Sequence, residues 1–126
     1  MDTKKILIVE DEETLAKVLE EKFKKEKFKV EVAYDGEAAM LAAKRFKPDL
    51  ILLDLILPGK HGLEVLKELK ADAELKTAPV IVLSNIDSDE SIKQALALGA
   101  VDYFVKTQHA LNEVMEKIKN QLIKGK

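Results

Sequence analysis

The sequence predicts an α/β domain of three layers, with a parallel sheet between two layers of helices. Two observations carry this. Five short apolar runs alternate with five amphipathic stretches along the whole chain. Three of the runs are apolar almost without interruption, as strands are when both faces of a parallel sheet are covered. A strand–helix unit repeated five times gives helices on both faces of one sheet. Right-handed crossovers then restrict the topology to a few doubly wound orders.

The runs are Ile6 to Val9, Val30 to Ala33, Leu50 to Leu53, Val80 to Leu83 and Tyr103 to Val105. The second differs, because Lys29, Val30, Glu31 and Val32 alternate polar with apolar, which suits a sheet edge. The intervening stretches keep a period of 3.6. Leu15, Val18, Leu19 and Phe23 mark the first helical face, and Ala39, Ala42, Ala43 and Phe46 the second, whose small side chains allow close approach. Leu63, Leu66 and Leu69 mark the third and Ile92, Ala95 and Leu96 the fourth. Leu111, Val114, Met115, Ile118 and Leu122 mark the fifth. Gly36 ahead of the second helix, Pro48 and Asp49 ahead of the third strand, and Gly99 at the end of the fourth helix punctuate the pattern, with Asp87, Ser88 and Ser91 as candidate caps.

Composition narrows the function. The chain has 126 residues, the length of one domain, and reads as a single unit over residues 1–126. Cysteine is absent, which excludes a disulfide framework, a thiolate nucleophile and Cys-ligated zinc. His61 and His109 are too few for most zinc enzymes. A net charge of −2 argues against direct nucleic-acid binding. No apolar run approaches the roughly 20 residues that span a bilayer, and the N-terminus does not read as a signal peptide. A soluble cytoplasmic protein without membrane contact is expected.

In open α/β sheets, ligands bind beyond the carboxyl ends of the strands. Glu10, Asp11 and Glu12 follow the first run, Asp54 ends the third, Ser84 follows the fourth and Lys106 the fifth. Alone, Asp54 also reads as a strand-end acid reaching solvent or capping a helix, but apolar residues flank it on both sides. Glu12 and Glu13 read as helix-start acids favoured by the dipole. Lys106 alone is one surface lysine among many, and Ser84 a turn hydroxyl. Together they form a carboxylate cluster, a hydroxyl and an ammonium on one rim. Acids gathered from adjacent strands repel unless a cation offsets them, and an oxygen-only donor set with room for water suits Mg²⁺. An aspartate can accept a phosphoryl group as an acyl phosphate, with cations neutralising the oxygens in transit.

Several segments resemble the receiver domain of two-component response regulators, the chemotaxis-regulator-like family. They are Ile6 to Glu12, Leu50 to Gly59 with Gly62 beyond, Pro79 to Ser84, and Ala97 to Lys106; the likeness covers about residues 4 to 123. The resemblance implies a flavodoxin-like (βα)5 sheet in the order 2-1-3-4-5. It implies phosphorylation at Asp54, and Mg²⁺ held by Asp11, Asp54 and the carbonyl of Ile56, with Glu10 acting through water. Ser84 and Lys106 would contact the phosphoryl oxygens, and Tyr103 would act as a rotamer switch coupled to Ser84. The implied partners are a histidine kinase or histidine phosphotransfer protein upstream and a protein target, or an effector domain missing from this sequence, downstream. A phosphorylation-dependent homodimer is also compatible. Such a protein is no enzyme beyond its own phosphorylation and slow autodephosphorylation.

The sequence departs from the family pattern in four ways. Glu10 replaces an Asp, Ser84 a Thr, and Asn85 a smaller residue. Thr107 replaces a Pro that is typically preceded by a cis bond. A cis bond before a non-proline residue costs about 2.5–4 kcal/mol, so a trans Lys106–Thr107 bond is expected. Ile56 and Ile86 are apolar where the hydrolytic water would pass, which predicts slow dephosphorylation. Two other readings compete. A pseudo-receiver binding module would normally have lost one of the acids or the lysine. A Mg²⁺-dependent phosphatase of the haloacid-dehalogenase type needs an acid where Ile56 stands.

Overall fold

A computed structural model describes residues 3–124. Among these the elements alternate strictly: β1 (Lys5–Val9), α1 (Glu13–Lys25), β2 (Lys29–Ala33), α2 (Gly36–Phe46), β3 (Leu50–Leu53), α3 (Gly62–Ala71), β4 (Val80–Ser84), α4 (Asp89–Ala97), β5 (Asp102–Val105) and α5 (Leu111–Lys124). The strands form one parallel sheet in the order β2-β1-β3-β4-β5. The order and the (βα)5 architecture match the sequence-based expectation, and the alternating run is the edge strand β2.

Strand residues divide between two apolar layers with period two. Leu7, Val9, Ile51, Leu53, Val80 and Val82 join the small face of α2 and the buried residues of α3 and α4. Ile6, Ile8, Leu50, Leu52, Ile81 and Leu83 join Leu19 and Phe23 of α1 and Val114, Met115 and Ile118 of α5. Burial on both faces is the reason β1, β3 and β4 read as unbroken apolar runs. Each fully buried Leu or Ile contributes about 1.5–3 kcal/mol.

Two helical faces are rotated from the expected ones. Val18 and Leu96 are exposed, and in α1 the stripe is Ala16, Leu19 and Phe23. Val18 and Leu96 sit one residue from a buried neighbour, about 100° around the helix, and alanine supplies the contact instead. The caps are also more specific than the sequence implies. Gly36 is the first residue of α2, and the Asp35 carboxylate caps that helix by accepting from the Ala38 N–H at 2.8 Å. Ser88 caps α4 by accepting from the Ser91 N–H at 3.2 Å, so Ser91 is capped rather than capping, and Asp87 is not the cap. Gly99 follows α4 with φ +113, a conformation that favours glycine.

Candidate functional site

The ladder hydrogen bonds continue past the strand ends and set the rim. The Asp54 N–H donates to the Val9 carbonyl at 3.0 Å, and the Lys106 N–H to the Ser84 carbonyl at 2.9 Å. The residues that close β1, β3, β4 and β5 are thereby held side by side. Glu10, Asp54 and Ser84 are the buried polar residues of the described chain, while Asp11 stays exposed.

One ammonium ties three strands together. Lys106 Nζ lies 2.8 Å from Asp54 Oδ2 and 2.9 Å from Glu10 Oε1. It also reaches Glu12 Oε1 at 3.4 Å. The Glu10 carboxylate accepts from the Glu12 N–H at 3.1 Å, and Asp54 Oδ1 from the Ile56 N–H at 3.2 Å. Ligand oxygens of Glu10, Asp11 and Asp54 lie within 4.8 Å of one another.

The electrostatics show one cation serving too many acids. Burial pushes the Glu10 carboxyl up to about 7; the Lys106 hydrogen bond opposes the rise and repulsion from Asp54 adds to it. Burial pulls the Lys106 ammonium down, but hydrogen bonds from it to Asp54 and Glu10 outweigh this and hold it above its ordinary value. Three convergent carboxylates, two of them buried, and one ammonium leave a negative deficit. Hard oxygen donors with that deficit fit a divalent cation of the Mg²⁺ type.

Ser84 and Tyr103 face the same loop. Ser84 Oγ accepts from the Ile86 N–H at 3.4 Å, and the buried Tyr103 hydroxyl donates to the Ile86 carbonyl at 2.6 Å. Burial, with repulsion from Asp54 and Asp87, raises the Tyr103 hydroxyl above its usual range. Ile56, just beyond Asp54, exposes 53% of its surface. The Lys106–Thr107 bond is trans, as expected, and the chain then turns with the Gln108 and His109 N–H groups both donating to the Val105 carbonyl.

Of the strand-end residues named from the sequence, Glu10, Asp11, Asp54 and Lys106 converge, while the Ser84 hydroxyl is bonded to the loop after its own strand. Sequence reasoning misses two contributors. Glu12 occupies the N-cap position of α1 without a side-chain capping bond and turns to Lys106 instead; its place beside Glu10 and Asp11 is the available signal. The Ile86 backbone serves both Ser84 and Tyr103, and a backbone group has no sequence signature. A hollow of about 520 Å³ beside Lys4, Asp49 and Leu122 lies at the opposite end of the strands and takes no part in this cluster.

The family model described as response regulator receiver domain matches residues 6–119. Solved structures agree over nearly the whole chain. The BeF3-activated N-terminal receiver domain of Klebsiella pneumoniae RstA is 30% identical with a TM-score of 0.86, covering 94% of this chain and 98% of that one. A CheY-like receiver domain protein from Methanospirillum hungatei is 25% identical with a TM-score of 0.91, covering 98% and 97%. The Mn²⁺-bound form of the response regulator Rcp1 is 31% identical with a TM-score of 0.79, covering 94% and 91%.

Proposed function

The chain belongs to the response regulator receiver domain family, and from that membership we propose that it is a single phosphoacceptor domain of a two-component or phosphorelay pathway, phosphorylated on Asp54. The observation that carries this reading is the Lys106 ammonium 2.8 Å from the Asp54 carboxylate, beside the acids of β1. A phosphohistidine of a histidine kinase or phosphotransfer protein is the donor. Its N–P bond breaks as an Asp54 Oδ–P bond forms, and the imidazole keeps the electron pair. Lys106 holds the carboxylate in place and then neutralises a phosphoryl oxygen. Asp11, Asp54 and the Ile56 carbonyl would hold Mg²⁺, with Glu10 acting through water. The ion supplies charge neutralisation of the phosphoryl oxygens. The Mn²⁺-bound Rcp1 structure supports a divalent ion in a related protein.

Ser84 and Tyr103 carry the signal outward. The Ser84 hydroxyl, which accepts a long bond from the Ile86 N–H, donates to a phosphoryl oxygen and moves toward it, which favours one arrangement of the β4–α4 loop and of the Tyr103 ring. The α4–β5–α5 face is thereby reshaped for a protein target or an effector domain. The protein acts in the cytoplasm, and among the described residues no helix is long and apolar enough to cross a membrane. It catalyses no reaction beyond its own phosphorylation and slow dephosphorylation.

A titration with beryllofluoride and Mg²⁺, followed at Tyr103 by NMR, tests the reading. Saturable shifts that vanish in Asp54→Asn are expected. Absence of shifts in the unsubstituted protein overturns it in favour of a pseudo-receiver.

A further inference from the structure

The sheet has an open edge whose charges are arranged to match themselves. β2 has one neighbour among the described strands, β1. The Lys29 N–H donates to the Lys4 carbonyl, and the Ala33 carbonyl accepts from the Glu10 N–H. With the register Lys5↔Lys29 through Val9↔Ala33, the backbone groups of Lys29, Glu31 and Ala33 serve β1. Those of Val30 and Val32 therefore point to the open side.

We propose that this edge pairs antiparallel with the same edge of a second copy of the chain, about a two-fold axis at Val30. The backbone allows it. Val30 carries an outward N–H and an outward C=O, the pair that two residues exchange at a hydrogen-bonded position of an antiparallel ladder. The flanking positions then set Lys29 of each copy opposite Glu31 of the other, in the closer non-hydrogen-bonded pairs. Two opposite-charge contacts arise from one operation, as an isologous interface requires.

Other registers lose this match. An axis at Glu31 sets that carboxylate against its own copy, and an axis at Val32 leaves Glu31 opposite Ala33. Lys29 on an edge normally discourages pairing with a foreign strand, and here one self-pairing register turns the same charge to advantage. Glu31 is ion-paired through Oε2 with Arg45 of α2, which fixes its direction and leaves its other oxygen for the incoming lysine. Beside the strand, exposed Tyr34 and Leu41 border a shallow hollow of about 250 Å³ that Val32 and Arg45 also line. Apolar surface is therefore continuous with the edge that would be covered. The result is a ten-stranded sheet whose two acidic rims face opposite ways. Asp54 has no part in it, and the α4–β5–α5 face stays open.

Sedimentation equilibrium at concentrations up to about 1 mM tests this, a range that detects dissociation constants up to about 1 mM. The unsubstituted chain is expected to form dimers with or without beryllofluoride, and so is Asp54→Asn. Lys29→Glu alone and Glu31→Lys alone each create two like-charged pairs and should weaken the dimer about tenfold or more. An equimolar mixture of the two variants restores both opposite-charge pairs and should dimerise again. A monomeric parent chain overturns the proposal. So does a dimer that appears only with beryllofluoride, or one indifferent to both substitutions.

Discussion

The Tyr103 hydroxyl donates to the Ile86 carbonyl at 2.6 Å, so the ring at the middle of β5 is tied to the loop that follows β4. The N–H of the same Ile86 bonds Ser84 Oγ at 3.4 Å. One residue of backbone thus bonds both the buried serine at the end of β4 and the buried tyrosine of β5.

Tyr103→Phe removes the hydroxyl and keeps the ring. The Ile86 carbonyl loses its partner in a partly buried position, and the unfolding free energy should fall by about 1 kcal/mol. Urea denaturation measures it. The Ile86 amide resonance should shift as well, because its loop is no longer held from the β5 side. Unchanged stability together with an unmoved Ile86 resonance would show that the bond does not form in solution.

Glu10 should make the metal-free protein less stable as pH rises. Its carboxyl lies at about 7 in the folded chain against 4.5 as its ordinary value. Between these values the folded state binds more protons than the unfolded state, so stability falls with increasing pH across that window. The shift corresponds to about 3 kcal/mol at most. Thermal or urea denaturation between these two pH values should show the decline, and Glu10→Gln should flatten it. Saturating Mg²⁺ should also flatten it, since a cation competes with the proton for the same site. A stability that rises over this window would contradict the assignment.

Two glycines of the β3–α3 segment separate steric from conformational demands. A Cβ on Gly62 would stand 2.4 Å from Leu55 Cα and 2.5 Å from the Asp54 carbonyl oxygen, and backbone atoms there cannot yield. The Gly62 N–H also donates to the Leu55 carbonyl at 2.9 Å, pressing the start of α3 against the backbone that carries Asp54. Gly62→Ala should therefore cost about 3 kcal/mol or more and displace Asp54. Gly59 has φ +74, and a Cβ added there would meet nothing within 4 Å. Gly59→Ala should therefore cost only about 1–2 kcal/mol, the strain of an L side chain in the left-handed region. Denaturation of the two variants should rank them in that order; equal losses would remove the steric argument.

Legibility in the sequence follows burial. β1, β3 and β4 are plain because both faces of each strand are covered, and β2 because one side of its edge is open and its residues alternate. The face of α1 is misread because Ala16 is a weaker hydropathy signal than Val18, although Ala16 is buried and Val18 exposed. At the site, Asp54 and Lys106 stand out through their positions at strand ends, a rule of topology rather than of local pattern. The turn of Glu12 toward Lys106 joins residues 94 apart in the chain, beyond the ends of strands that two others separate in the sheet. Ile86 contributes through its peptide groups, which every residue possesses.

The lifetime of the phosphoryl group should be set by two side chains that do no chemistry. Ile56 follows Asp54 by two residues and is largely exposed, while its N–H holds Asp54 Oδ1. Ile86 follows Ser84 by two residues and is partly buried against the apolar layer of α2, α3 and α4. Hydrolysis of an acyl phosphate needs a water aligned with the phosphorus, and an alkyl side chain offers no donor or acceptor to align it. Ile56→Asn and Ile86→Glu together place an amide two residues beyond Asp54 and a carboxylate two residues beyond Ser84. Phosphoryl loss should accelerate roughly tenfold or more in the double variant, a fraction of what positioned acid–base groups can contribute. The decay is followed by mass spectrometry after loading with acetyl phosphate and Mg²⁺ and removal of the donor. Ile86→Leu preserves the apolar contact without a polar group and should leave the half-life unchanged. A double variant that decays at the parent rate, in a protein that still accepts the phosphoryl group, would mean the water is oriented by backbone groups of the rim.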